Sequence, residues 1–270
     1  MNKTILQKQL IFPQSDQILV DIYQVAQQKH VIIVLPALGV AIQKYELLIQ
    51  QLIEQGFNVI AADYPGCGRN TPPVSATFDF GYADLLDYFI PQLVNIAQEL
   101  SPQTPILLGH SLGGHLATLY AQHHTVKVIG IATGNIGLKY WDYKGKFNIL
   151  KAAVIFNAMI LKDGYLAGYK IGFGNKEAKT LMHDWSKVIF TGNYRHILPK
   201  ESLSKNPALF IQFKQDDFAP MSSTLGLSRY FYTPKVQQLD LTQSLKGHQH
   251  SVWLKQPKAV VELIRSFIRD

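Results

Sequence analysis

Pro105-Ile-Leu-Leu-Gly109-His110-Ser111-Leu112-Gly113-Gly114 is the stretch on which the reading of this chain turns. Pro105–Leu108 is a short apolar run suited to a buried strand, and Gly113–Gln122 is suited to a helix. Gly-x-Ser-x-Gly between them places Ser111 in a tight strand-to-helix turn, where a hydroxyl is held up at the edge of a sheet as a nucleophile. Glycines on both sides remove side chains that would clash in such a turn, and Gly114 leaves room where helix and strand approach. The following helix aims its positive N-terminal end at Ser111, which favours developing negative charge.

Outward from this turn the chain alternates strands and helices. Thr4–Phe12 and Gln17–Val25 read as antiparallel strands around the turn Pro13-Gln14-Ser15-Asp16. Val31–Leu35 (VIIVL) is a continuous apolar run, as expected of a strand buried on both faces. A helix over Tyr45–Gln55 stops at Gly56; a strand at Asn58–Ala62, a helix near Tyr82–Glu99 and a strand at Val126–Ala132 complete the first part. From about 135 to 206 the alternation lapses into a stretch rich in Tyr, Trp, Phe, Gly and Lys. It resumes with a strand at Ala208–Phe213, a helix near Ser223–Tyr230, a strand near Lys235–Leu241 and a helix at Pro257–Ile268. The expected fold is α/β: a mostly parallel twisted sheet with helices on both faces and a helical cap insertion. Residues 1–134 and 207–270 form its core, and residues 135–206 form a cap over the sheet's C-terminal edge, where open α/β sheets bind ligands.

These features together resemble the α/β-hydrolase superfamily along nearly the whole chain. Asp63-Tyr-Pro-Gly66-Cys-Gly68-Arg-Asn70 is similar to the superfamily's Asp-x-Arg-Gly-x-Gly-x-Ser turn, with departures at Pro65 and Asn70. More narrowly, Leu35-Pro-Ala-Leu-Gly39-Val40, Gly109–Gly114 and Asp216-Asp-Phe-Ala-Pro220 look like bacterial predicted serine hydrolases of the serine aminopeptidase S33-like group. Caps of that group carry an Asp-Trp pair, matched here by Asp184-Trp185. The group label marks a sequence relationship and does not itself imply peptidase activity.

A serine hydroxyl is a weak nucleophile until a base takes its proton, and the base needs an acid to orient it. In the resembled fold these partners follow in the order Ser, acid, His. The strand Ala208–Phe213 runs into Lys214-Gln215-Asp216-Asp217, and either aspartate at this strand end lies on the active edge. The resemblance favours Asp216, four residues before Pro220, with Asp217 as the alternative. For the base, Gly247-His248-Gln249-His250 offers two histidines. The family's glycine before the catalytic histidine points to His248, whereas its seven-residue spacing to the proline of the last helix, here Pro257, points to His250, the preferred choice. Trp253 and Leu254 would then pack beneath the loop. The oxyanion donors implied are the backbone N–H groups of Leu112 and Leu38, with Ala37 second to Leu38.

Composition narrows the alternatives. Hydrophobic residues make up 47% and charged residues 17%, enough for a sizeable core and against disorder. Lys+Arg 26 against Asp+Glu 19 gives a net charge of +7, but the lysines are scattered and form no nucleic-acid tract. The single cysteine, Cys67, excludes an internal disulfide and sits in a turn away from Ser111. Nine histidines include no His-Glu-x-x-His, so no metal is expected, and neither Gly-x-x-x-x-Gly-Lys-Ser/Thr nor a Rossmann glycine fingerprint occurs, so no nucleotide cofactor is expected; His115, His123 and His124 are expected at the surface. The first residues lack a signal-peptide core and no apolar run would span a bilayer, so the expectation is a cytoplasmic protein without stable membrane insertion. Trp141, Tyr143, Phe147, Phe156, Tyr165 and Trp185 suit either an acyl pocket or the cap's own core. The expected activity is hydrolysis of carboxylic esters with small or medium acyl chains. The same residues would serve an acyltransferase, thioesterase, amidase or aminopeptidase, and a non-catalytic binding module on the same fold is the reading from a different class.

Overall fold

Val31–Leu35 is apolar at every position because both of its faces are covered: Val31, Ile33 and Leu35 join one buried cluster, Ile32 and Val34 another. The computed structural model describes residues 3–15, 17–26 and 29–269 and the same two-sided burial recurs along the central strands. In chain order the core elements are β1 (Lys3–Leu10), β2 (Ile18–Val25), β3 (Val31–Leu35), α1 (Glu46–Glu54), β4 (Asn58–Ala62), α2 (Tyr82–Asp84), α3 (Ile90–Leu100), β5 (Ile106–His110), α4 (Leu112–Tyr120) and β6 (Lys127–Ile131). An insert follows with α5 (Tyr143–Asp163), β7 (Leu166–Ala167), β8 (Lys176–Glu177) and α6 (Lys179–Thr191). The chain then completes the core with β9 (Ala208–Phe213), α7 (Met221–Ser228), β10 (Lys235–Leu239), α8 (Gln249–Val252) and α9 (Lys258–Arg269). Asp16, the last residue of the turn expected after the first strand, lies outside the described residues.

The eight-stranded sheet has the order β1-β2-β4-β3-β5-β6-β9-β10. β1–β2 and β2–β4 pair antiparallel, and every other pairing is parallel. Helices α1 and α9 cover one face through Leu48, Leu52, Val260 and Ile264. Helices α3 and α4 cover the other through Leu93, Val94, Leu116 and Leu119. The helix expected from Tyr82 to Glu99 has that extent but contains a π turn at Leu85–Phe89. Pro91 has no N–H to give the carbonyl of Asp87, and the ladder is interrupted there.

The insert joins β6 to β9 without adding a strand to this sheet; β7 and β8 pair only with each other. Helix α5 buries Ile149, Ala153, Phe156 and Ile160, and α6 buries Leu181, Met182, Val188 and Ile189. Asp184 ties α6 to the core by accepting from the Tyr82 N–H at 3.2 Å, and Asp79 accepts from the Thr180 N–H at 2.9 Å. The insert thus stands at the C-terminal ends of the parallel strands, where β3, β5 and β9 deliver their loops.

Candidate active site

Ser111 sits between β5 and α4 with φ 52° and ψ −111°, a conformation that costs a non-glycine residue strain. Its surroundings over-determine it. The Ser111 N–H donates to the Ile131 carbonyl at 3.0 Å, and its own carbonyl accepts from Thr133 Oγ1 at 2.7 Å and the Gly114 N–H at 2.9 Å. The flanking glycines are dictated by space: a Cβ on Gly109 would lie 2.1 Å from the Gly113 carbonyl carbon, and one on Gly113 would lie 2.1 Å from the Leu35 oxygen.

Of the two aspartates after β9, the fold brings Asp216 and not Asp217 to a histidine. Gln215 turns the chain with φ 62°, which carries the Asp216 side chain inward, where it is 2% exposed. His250 Nδ1 lies 3.1 and 3.0 Å from its two oxygens, and Oδ1 also accepts from the N–H groups of Phe218 at 2.9 Å and Ala219 at 3.1 Å. Burial alone would raise this carboxyl, but the His250 hydrogen bond, the His250 charge and the two backbone donors together hold it below its ordinary value. It is therefore an ionised acceptor, and it orients Nδ1–H of His250 toward itself. Asp217 is exposed at the rim. His248 is exposed too, packs on Phe218 at 4.3 Å, and accepts from the His250 N–H at 3.3 Å as the cap of α8. Trp253 is fully buried beneath the loop, and its Nε1–H donates to the His250 carbonyl at 3.2 Å.

Two residues given no role from the sequence, His110 and Tyr45, connect this loop to the serine. His110 Nε2 lies 2.9 Å from the His250 carbonyl; a carbonyl only accepts, so Nε2 carries the proton and Nδ1 is the acceptor. Tyr45 then donates its hydroxyl to His110 Nδ1 at 2.7 Å and accepts from the Ala37 N–H at 2.8 Å. Burial pushes the His110 ring down to about 3, so it stays neutral. The Ala37 N–H is therefore spent on Tyr45, whereas Leu38, the oxyanion donor expected from the sequence, lines the cavity beside Ser111. His115, expected at the surface, is instead buried: Nε2–H donates to the Gly134 carbonyl at 2.7 Å and Nδ1 accepts from Tyr82 at 3.1 Å. Helix α4 is covered on all sides, every residue from Leu112 to Tyr120 being buried. Burial lowers the His115 ring to about 4.

A cavity of about 560 Å³ opens over these groups. Ser111, His250, Leu38 and Leu112 line its floor, and Trp141, Ile149, Phe156, Phe173 and Trp185 of the insert line its apolar wall. Lys144, Asn148, Asp217 and His248 add polar groups to its lining. The aromatic residues of the insert therefore divide: Trp141, Phe156 and Trp185 face the cavity, Tyr143 and Phe147 are exposed, and Tyr165 packs on the core. The insert meets the β3 loop at Gly39, where φ is 69° and a Cβ would lie 2.2 Å from Gly174 Cα. Beside this contact stands buried Glu177, whose Oε1 accepts from the Asn175 N–H at 2.9 Å and whose carboxyl burial raises to about 7.

The Asp63–Asn70 turn has structural work. The Asp63 carboxylate accepts from the Ile42 N–H at 2.7 Å and the Arg69 N–H at 3.4 Å. Asn70 closes the same turn through its Nδ2, which donates to the Asp63 and Tyr64 carbonyls at 2.7 and 3.0 Å. Cys67 is pushed well above the ordinary thiol range, first by burial and then by Glu177 and Asp63, and does not line the cavity. Among the described residues no cluster of His, Cys, Asp or Glu has the grouping of a metal site, and no helix is long and apolar enough to cross a membrane.

Residues 30–153 match the sequence model of a family described as the alpha/beta hydrolase fold. No curated protein matches the chain in sequence. Among solved structures, the bromoperoxidase from Bacillus anthracis superposes with a TM-score of 0.67 at 17% identity, covering 98% of this chain and 100% of that one. The alpha/beta hydrolase GrgF from Penicillium sp. sh18 gives 0.65 at 15% identity over 100% and 98%. A structure from a study of carboxylesterases of the thaumarchaeon Nitrososphaera gargenis gives 0.64 at 17% identity over 96% and 97%. At such identities the likeness is one of fold.

Proposed function

We propose that this chain, an α/β-hydrolase by fold and superfamily, is a serine hydrolase that cleaves carboxylic esters of small or medium acyl chains through an acyl-enzyme. The observation that carries the reading is the buried Asp216–His250 pair opening into the same cavity as the strained Ser111. With Nδ1–H held by Asp216, the other nitrogen of His250 is left as the base. It takes the Ser111 proton as Oγ attacks the ester carbonyl, and the oxyanion settles on the N–H groups of Leu38 and Leu112. The first N–H groups of a helix have no intrahelical partner, so that of Leu112 is free for this task. His250 then gives its proton to the leaving alcohol, and a water deprotonated by the same ring releases the acid.

Residues 135–206 act in this reading as a cap. Trp141, Ile149, Phe156 and Trp185 favour an acyl chain over a charged substrate, and the cavity volume lies within the range of small-molecule sites. Asp184 of the Asp-Trp pair serves to anchor the cap, and Trp185 serves as a wall of the acyl site. The test is labelling with a fluorophosphonate probe, read by intact mass, followed by turnover of esters of increasing acyl length. A single adduct on the wild type, absent in Ser111→Ala and strongly slowed in His250→Ala, is the expected result. A folded wild type that takes no label, or an unchanged labelling rate in His250→Ala, would overturn the mechanism.

A further inference from the structure

Helix α5 serves the cavity with one side and presents a different surface with the other. At about 100° per residue, Tyr143, Phe147, Val154 and Leu161 fall in a single stripe running its length. Their exposures are 89%, 63%, 70% and 90%, far from the burial such side chains normally reach. Lys144, Lys151 and Lys162 follow one border of the stripe, Lys146 stands on the other, and all four are exposed. None of the four is ion-paired among the described residues. The one acid within the helix, Asp163, is engaged by Lys170 at 2.7 Å, and this pair ties the exposed Tyr169 and Ile171 to the same end.

We infer that this lysine-bordered stripe of α5 docks the protein on an anionic lipid surface. An apolar face dipping into the acyl boundary, with cations at headgroup level, is the pattern of an interfacial helix. A two-fold contact between copies of the chain would instead set lysine borders against lysine borders on a protein of net charge +7. The side of α5 that carries Asn148, Ile149, Ala152 and Phe156 lines the cavity. These two sides are opposite one another on the helix, so docking sets α5 between the lipid and the cavity and holds the cavity within about one helix diameter, roughly 10–12 Å, of the surface where apolar acyl substrates collect. The docking itself is independent of the catalytic reading; only the delivery of substrate rests on it.

The experiment is flotation of the full chain with vesicles of phosphatidylcholine alone or of equal parts phosphatidylcholine and phosphatidylglycerol, using Ser111→Ala so that lipid is not consumed. The protein is expected to float with the anionic vesicles, to stay behind with the neutral ones, and to be released by salt. The pair Lys151→Glu and Lys162→Glu is expected to lower partitioning by about 25-fold or more. Phe147→Ser with Leu161→Ser is expected to lower it by at least about tenfold. In an otherwise wild-type chain, both pairs keep wild-type turnover of a soluble short ester, which shows that the fold is intact. Absence of flotation with anionic vesicles, or undiminished flotation of either pair, would overturn the proposal. So would light scattering that shows a dimer dissolved by Phe147→Ser with Leu161→Ser, since the stripe would then be a self-association face. Loss of flotation leaves the fluorophosphonate result standing, and loss of labelling leaves flotation standing, so the two readings fail separately.

Discussion

Replacing Asp216 by Asn tests the site at its most constrained bond. Oδ1 of Asp216 accepts from the N–H groups of Phe218 and Ala219 at 2.9 and 3.1 Å, and Oδ2 lies 3.0 Å from His250 Nδ1. An asparagine has a single acceptor oxygen, and the two fixed backbone donors claim it. The amide NH2 must then face His250, whose Nδ1 becomes an acceptor and whose proton moves to Nε2. A ring protonated there cannot take a proton from Ser111. The expected loss in the acylation rate is about 10⁴-fold at neutral pH, or about 5.5 kcal/mol of transition-state stabilisation. Because the backbone bonds survive, the fold should persist. The assay is the rate of fluorophosphonate labelling or of the ester burst, measured across the neutral and mildly alkaline range beside a thermal melt. A variant that melts like the wild type and reacts within about tenfold of its rate would refute the assignment of Asp216.

Tyr45→Phe should act at a distance from the substrate. It leaves the Ala37 N–H and His110 Nδ1 buried without partners, at a cost of about 1–3 kcal/mol in stability, and lowers kcat with little change in KM. Denaturant unfolding and steady-state kinetics check both, and wild-type values in both would remove the network from the mechanism. Glu177 gives a pH dependence whose sign follows from its raised carboxyl. The folded protein keeps that proton up to about 7, whereas the unfolded chain loses it near the ordinary 4.5, so stability falls as pH rises through that window. The loss is on the order of 3 kcal/mol once both states are ionised. Glu177→Gln keeps the acceptor for Asn175 and removes the penalty, so its melting temperature should exceed that of the wild type above neutrality and match it in acid. Parallel pH profiles of the two proteins would refute the account.

What could be read from the sequence follows from the range of the interactions involved. Val31–Leu35 was legible because burial on both faces leaves no position for a polar side chain, and Asn58–Ala62 and Ala208–Phe213 because each admits only one, Asn58 and Gln212, both buried and hydrogen-bonded to the backbone. The turn at Ser111 was legible because two close approaches, Gly109 to Gly113 and Gly113 to Leu35, admit no Cβ. Asp216 and Asp217 were harder to part, since only the positive φ of Gln215 decides which side chain turns inward. The roles of His110 and Tyr45 were not legible: they are 65 residues apart and meet only when β3, β5 and the last loop converge. His115 carried a signal that went unused. Leu112–Tyr120 contains no charged residue, as suits a helix wrapped on all sides, and a histidine within it is buried with the rest. The outward stripe of α5 resisted any core-based reading because it obeys the helical period without being covered.

The placement of a neutral histidine beside the nucleophile has a mechanical reason. His110 is fully buried, and an apolar residue there would leave the Tyr45 hydroxyl without its acceptor and the His250 carbonyl without one of its two donors. As a neutral ring it offers one donor and one acceptor at opposite ends, and burial keeps it in that state far below neutral pH. The bonds Ala37–Tyr45–His110–His250, each between 2.7 and 2.9 Å, thereby join the loop of the proposed oxyanion donor, the strand leading to Ser111 and the loop of the proposed base. Electrostatic catalysis depends on donors that are in place before charge develops. Here the side chain that precedes Ser111 holds both the backbone of His250 and the Tyr45 hydroxyl, which in turn holds the residue next to Leu38. A displacement of any one loop is transmitted to the other two, which is why the loss of a single hydroxyl at Tyr45 should register in kcat.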